Sequence, residues 1–175
     1  PTLLLTREDW LTVSAERLIP EPYIFCYLFG TREDIGKFVE YARQKLSMEV
    51  VVIPFTDREF RSDYRKMGKV GPSEFISLIR HASLVVTDSF HATSFCVNLN
   101  VPFYSLLRND AGDENNMNSR IENILNMVGL ENRLLEDENG FPEELKLDMD
   151  FSESNQVLDT KRKEDFNFLK EAIGE

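Results

Sequence analysis

The stretch that decides the fold covers residues 71–107. It reads GPSEFISLIRHA (71–82), SLVVTD (83–88), SFHATSFCVNLN (89–100) and VPFYSLL (101–107). Phe75, Leu78, Ile79 and Ala82 recur at helical spacing, after a proline at residue 72 that suits a first helical turn. Leu84, Val85 and Val86 form a short apolar run of the kind found in strands covered on both faces. A second helix over 89–98 and a strand over 102–107 follow. The junction Thr87-Asp88-Ser89-Phe90-His91-Ala92-Thr93 therefore sets polar groups where a strand's C-terminal end meets a helix N-terminus. In open α/β sheets ligands bind at such ends. The helix start also leaves backbone N–H groups unpaired and carries partial positive charge, which favours an anion.

The chain before this stretch repeats the pattern. Residues 23–29 (YIFCYLF) are continuously apolar and end at Gly30, so they read as a buried strand. Ile35, Phe38, Val39, Ala42 and Leu46 then form one apolar stripe, predicting a helix from Glu33 to about Ser47. Residues 49–55 (EVVVIPF) are the next strand. Strand, helix and strand at this spacing make a βαβ unit, which crosses over right-handed into a parallel sheet. The tetrapeptide Thr-Arg-Glu-Asp occurs twice, at 6–9 and 31–34. Both copies read as helix caps, with threonine at the N-cap and an acid three residues on. The first opens a short helix through Trp10 and Leu11, which Pro20 and Pro22 follow as breakers. Residues 56–70 read as a polar loop carrying Arg58, Arg61, Arg65, Lys66 and Lys69, either solvated or a basic arm near an anionic substrate.

After residue 107 the signals weaken. Residues 108–116 are polar and read as a mobile connection. Ile121, Ile124, Leu125 and Val128 predict a helix over 117–128, and residues 130–135 a turn with a short extended piece. Residues 136–160 are acidic with weak periodicity and read mostly as loop. A last helix over 161–173 is expected, with Phe166, Leu169 and Ile173 inward. The expected fold is α/β: a Rossmann-like open parallel sheet, helices on both faces, in one domain over 1–175.

Charge limits the partners. The formal net charge is −11, yet residues 1–108 hold 13 Lys and Arg against 13 Asp and Glu. Residues 109–175 hold 7 against 18, so the excess lies in the last third. No basic face emerges, and no nucleic-acid partner is expected. Cys26 and Cys96 fall in apolar patterns and read as small buried hydrophobes, which fits a reducing compartment. The two histidines and two separated cysteines show no metal-ligand spacing, so no metal is expected. No stretch approaches the roughly 20 apolar residues of a membrane helix.

The candidate site follows from the junction. Ser89 suits an N-cap whose hydroxyl accepts a backbone N–H one turn in. His91 falls in the first turn, where imidazole is the usual general acid or base near neutral pH. Thr93 offers another hydroxyl. Asn118, Ser119 and Arg120 begin a later helix on the same sheet edge, and Arg120 suits a phosphate or carboxylate. Glu74, in the first turn of its helix, either balances the dipole or accepts hydrogen bonds from sugar hydroxyls. The alternative throughout is a capped helix start that binds nothing. Neither the nucleophile elbow nor the glycine-rich dinucleotide fingerprint is present.

The runs GPSEFISLIRHASLVVTDSFHATSF (71–95), VPF (101–103) and NSRIENILNMVGLENRL (118–134) resemble the polysaccharide pyruvyl transferase family. Its most recognisable element is a strand ending in S-x-H-G-T before a helix. Here it is Ser89-Phe90-His91-Ala92-Thr93, with Ala92 where glycine is usual, a change expected to narrow the backbone's approach to a ligand. The resemblance implies the C-terminal half of a two-domain GT-B-like enzyme, with the N-terminal domain absent from this chain. It implies transfer of pyruvyl from phosphoenolpyruvate to a sugar hydroxyl of a cell-surface glycan, with no cofactor beyond that donor substrate. It implies His91 as acid/base, with Ser89, Thr93 and Arg120 near the donor's anionic groups. The implied location is cytoplasmic, at the inner membrane face where the acceptor is lipid-linked. A nucleotide-sugar glycosyltransferase on the same scaffold, or a non-catalytic anion-binding domain, are the other readings.

Overall fold

The computed structural model describes residues 2–54, 63–108 and 118–174. In chain order it forms α1 (Arg7–Val13), β1 (Tyr23–Tyr27), α2 (Glu33–Leu46), β2 (Glu49–Val52), β3 (Arg65–Lys66) and α3 (Pro72–Arg80). Then come β4 (Leu84–Thr87), α4 (Phe90–Leu99), β5 (Phe103–Leu106), α5 (Asn118–Val128), β6 (Leu134–Leu135) and α6 (Ser152–Ile173). The strands make one six-stranded sheet in the order β3-β2-β1-β4-β5-β6, and every pair is parallel. This is the α/β, Rossmann-like architecture expected.

Side-chain alternation divides the core between the two sheet faces. Phe25, Val51, Val85 and Phe103 pack on one face with residues of α3, α4 and α5, such as Leu78, Val97 and Ile121. Ile24, Cys26, Val50, Val52, Val86 and Tyr104 pack on the other, with Ile35, Phe38, Val39 and Ala42 of α2. Both faces being covered, the central strands have to be apolar throughout, and β4 and β5 are buried at every residue. Cys26 and Cys96 lie buried in the two separate clusters. Burial pushes the Cys96 thiol far above its ordinary pKa.

Several expectations need correction. The basic loop is partly a strand: Arg65 and Lys66 pair with Val51 and Val52. Two exposed charged residues at a sheet edge carry no apolar pattern, and charge there blocks further pairing. Arg58 and Arg61, and residues 109–116 of the polar connection, lie outside the described residues. The turn and short extended piece over 130–135 are present as expected, the latter as edge strand β6, paired with Ser105 and Leu106. β1 stops at Tyr27 rather than Phe29, since the next backbone N–H groups turn to a side chain described below.

The two identical tetrapeptides behave differently. Thr6 forms the expected capping box: its Oγ1 accepts from Asp9 N–H at 3.1 Å, and Asp9 Oδ2 accepts from Thr6 N–H at 2.9 Å. In the second copy Arg32 is the N-cap and no side-chain cap forms. Arg32 holds the Asp34 carboxylate at 2.7 Å and reaches the Glu136 carbonyl at 2.8 Å. The arginine two residues before it thus engages the acid, and is itself held by a carbonyl distant in sequence.

The last helix starts at Ser152, nine residues earlier than expected. Its first turns pack on the body through Ser154, whose Oγ donates to the Val128 carbonyl at 2.9 Å, and buried Leu158. Arg162 then donates to the Leu3 carbonyl and to Asn98 Oδ1, both at 2.9 Å. Beyond that tie every described residue of the helix is exposed. Phe166, Leu169 and Ile173 are 44%, 43% and 69% exposed and do not face inward. Among the described residues no helix is long and apolar enough to cross a membrane.

Candidate functional site

The strand order places the C-terminal ends of β1 and β4 side by side. From β1 the chain goes through α2 on one face toward β2; from β4 it goes through α4 on the other toward β5. The two connections part there and leave a crevice, the usual ligand position of open α/β sheets.

Asp88 closes the base of this crevice. It follows β4 directly, and its side chain is fully buried. Its carboxylate accepts Phe29 N–H at 2.9 Å and also Gly30 N–H, two and three residues beyond the end of β1. Gly30 is required by this approach: a Cβ would meet Asp88 Oδ2 at 2.8 Å and the Arg108 carbonyl at 3.1 Å. Gly30→Ala should therefore lower stability by about 1–3 kcal/mol through forced displacement of the carboxylate. Chemical denaturation of the variant against the parent measures it, and an unchanged midpoint would show that the turn has slack.

Arg108 lies just past β5. Its guanidinium stands 4.8 Å from the Phe29 ring centroid, and its Nη2 donates to the Asp88 carbonyl at 3.1 Å and lies 3.6 Å from Asp88 Oδ1. Its Nε is buried and has no acceptor among the described residues. An orphaned buried donor costs about 1–3 kcal/mol, more when charged. The Arg108 N–H donates to Asn118 Oδ1 at 3.0 Å, which ties β5 to the start of α5. Arg120, two residues into α5, is exposed and holds its guanidinium 5.3 Å from the Phe90 ring centroid. Asp88, Phe90, Arg108, Asn118 and Arg120 together line a cavity of about 20 Å³.

His91 lies on the other side of this start. It is exposed, in the first turn of α4, and contacts the Phe90 ring edge-on at 5.6 Å between centroids. It borders a groove of about 450 Å³ with Leu3, Leu4, Ser94, Asp165 and Phe168. Phe90 lines both spaces, so one aromatic ring separates the histidine's groove from the arginine cavity. The first intrahelical bond runs from Thr93 N–H to the Ser89 carbonyl at 2.9 Å. The N–H groups of Phe90, His91 and Ala92 precede it and have no intrahelical acceptor.

The other expected residues are placed as follows. Ser89 is the N-cap, but its hydroxyl makes no capping bond. Its backbone N–H is held by Thr87 Oγ1 at 3.1 Å. Thr93 is fully buried, its Oγ1 2.8 Å from Ser105 Oγ, facing the sheet rather than the crevice. Glu74 accepts from Gly71 N–H and Ser73 Oγ, each at 3.1 Å, and so caps α3. Asn118 is buried and serves the β5–α5 tie. Ala92 is fully buried with its methyl in the core cluster, so it does not narrow the approach to the helix start. His91, Ser89, Asn118 and Arg120 thus gather around Phe90, while Thr93 and Glu74 turn elsewhere. Asp88 and Arg108 were missed. Asp88 had a readable signal, a carboxylate directly after a buried strand; Arg108 had none, since its partners lie far off in sequence.

Comparison with known proteins adds the following. A model of the family described as polysaccharide pyruvyl transferase matches residues 3–110. No curated protein matches the sequence. Among solved structures, the chain is similar to the iron-containing dodecameric glycosyltransferase TibC of enterotoxigenic E. coli H10407. Identity is 20% over 54% of this chain and 29% of that one, with a TM-score of 0.42. It is also similar to a candidate UDP-N-acetylglucosamine 2-epimerase of Listeria monocytogenes, at 14% identity over 92% of this chain and 39% of that one, with a TM-score of 0.47. The chain spans less than two fifths of the length of either. Because the family match takes in more than half of the chain, and every element from α1 through β5, this chain belongs to the polysaccharide pyruvyl transferase family.

Proposed function

We propose that this chain supplies the donor side of a pyruvyl transferase that moves pyruvyl from phosphoenolpyruvate to sugar hydroxyls. One observation carries the reading: an exposed imidazole stands in the first turn of a helix at the switch point, beside a ring under an exposed guanidinium. The donor has a phosphate and a carboxylate. Arg120 and the unpaired N–H groups at the start of α4 suit such groups, and Ser89 contributes its hydroxyl.

The chemistry then runs with few parts. His91, protonated, gives its proton to the enol carbon of the donor, leaving an oxocarbenium-like centre at the neighbouring carbon. A sugar hydroxyl attacks that carbon, and its proton passes to the neutral imidazole. Phosphate leaves with its bridging oxygen and takes the proton from the imidazolium, and a second hydroxyl attacks the oxocarbenium-like carbon that remains, closing a cyclic ketal as its proton passes to the neutral imidazole. Positioning and charge stabilisation supply most of the acceleration.

In this reading the chain is the C-terminal half of a GT-B-like pair, and the acceptor binds between it and an N-terminal domain. The 175 residues alone should then turn over slowly or not at all. The glycan or its lipid-linked precursor is the acceptor, and the reaction lies on the cytoplasmic side, a reducing compartment that suits Cys26 and Cys96 as small buried side chains in separate clusters. Competition tests the donor. Phosphoenolpyruvate should displace a bound nucleotide sugar or bind where none does, and acceptor-dependent phosphate release should follow. Displacement only by a nucleotide sugar would turn the assignment to glycosyl transfer, and binding of neither to an inert domain.

A further inference from the structure

The site holds a cation beyond the one its sequence pattern suggests. Arg108 borders the same small cavity as Phe90, Asn118 and Arg120. An arginine present only to neutralise Asp88 would fork onto its carboxylate with two donors. It does not. Nη2 goes to the Asp88 backbone carbonyl, Oδ1 lies 3.6 Å from it, and the carboxylate takes the Phe29 and Gly30 N–H groups. The Phe29 ring on one side and the Asp88 carbonyl on the other hold the guanidinium plane. Nε is left buried without an acceptor among the described residues. The cavity of about 20 Å³ has room for one water-sized group, which is the size of a single anionic oxygen. Arg120, at the rim, makes no ion pair among the described residues.

We propose that Arg108 is a second anion-binding residue of the site, donating Nε–H to one carboxylate or phosphate oxygen of the donor while Arg120 meets the other anionic group. This rests on the pyruvyl-transfer reading, since a donor with two anionic groups is what needs two separate cations. Asp88 is then a positioning residue: it fixes the turn after β1 and, through its carbonyl, the direction of the guanidinium.

The test titrates the full chain with phosphoenolpyruvate and, separately, with inorganic phosphate, following the arginine Nε–H resonances by NMR and the affinity by calorimetry. The Arg108 Nε–H signal should shift on adding phosphoenolpyruvate. Arg108→Lys keeps the charge beside Asp88 but loses the Nε–H donor, and should weaken phosphoenolpyruvate binding about tenfold or more, as loss of a charge-assisted hydrogen bond does. Inorganic phosphate, with one anionic group, should bind more weakly than phosphoenolpyruvate and lose less in the variant. Equal affinity of Arg108→Lys and parent, with Arg120→Gln weakened, would overturn the inference and leave the pyruvyl-transfer reading standing. No binding of phosphoenolpyruvate by the parent would overturn both. Equal affinity for inorganic phosphate and phosphoenolpyruvate would reduce the site to a simple anion pocket and overturn the two-cation assignment. If Arg108→Lys does not fold, the parent's Nε–H resonance decides alone: no movement at saturating phosphoenolpyruvate rejects the proposal.

Discussion

His91→Ala in the assembled enzyme should lower the rate of pyruvyl transfer by about 10²–10⁴-fold, the usual worth of a general acid–base group. Thermal stability should hardly change. The side chain is exposed and makes no hydrogen bond among the described residues, so its loss leaves neither a cavity nor an orphaned partner. Exposed substitutions of this kind stay within about 0.5 kcal/mol. The separation of the two readouts is what makes the experiment informative. Phosphate release measured with phosphoenolpyruvate and acceptor reports the chemistry, and a melting curve reports the fold. If the variant keeps the parent's rate, proton transfer belongs to another group and the helix start serves only to bind.

Asp88→Ala should have the opposite signature, with a large effect on stability. The substitution removes the acceptor for Phe29 N–H and Gly30 N–H and the buried carboxylate beside Arg108. Breaking one side of a buried charged contact costs about 3–5 kcal/mol. For a chain of this size that corresponds to a melting temperature lower by on the order of 10 °C. Asp88→Asn separates charge from hydrogen bonding. It keeps an acceptor oxygen for one of the two N–H groups but withdraws the negative charge, and should fall between parent and alanine. Donor affinity should fall with it, because the turn after β1 and the Arg108 guanidinium would lose their common support. A melting curve for Asp88→Ala that overlays the parent would mean that the turn is held by its neighbours, not by the carboxylate.

Much of the core was readable because burial leaves a direct mark on residue type. The four central strands are short apolar runs, and α2 shows a clean helical stripe, with Ile35, Phe38, Val39 and Ala42 all buried. The edges were less readable: β3 was read as loop, and β6 only as a short extended piece. β3 is an Arg-Lys pair and β6 a Leu-Leu pair, and neither is long enough to carry a period. The early start of α6 was hidden for a related reason. Its contact with the body uses few side chains, chiefly Ser154 and Leu158, inside an acidic stretch.

The site divides in the same way. The helix start at Ser89 and the exposed position of His91 follow from local chemistry, since a polar run between a buried strand and a buried helix has one place to go. Side-chain direction does not follow. Thr93 turns to Ser105, Glu74 to Gly71 and Ser73, and Ala92 into the core, each decided by which surface the helix packs on.

By itself, then, the sequence determined the alternation of strands and helices, the parallel sheet and the junction at residues 87–93. Short-range periodicity and capping chemistry specify those things within a dozen residues. Only the tertiary structure decided that the end of β1 lies beside the end of β4, that Asp88 binds the backbone of Phe29 and Gly30, and that Arg108 and Arg120 share one cavity. Those contacts join residues far apart in the chain, and their geometry is set by how the strands order themselves, which no local pattern encodes.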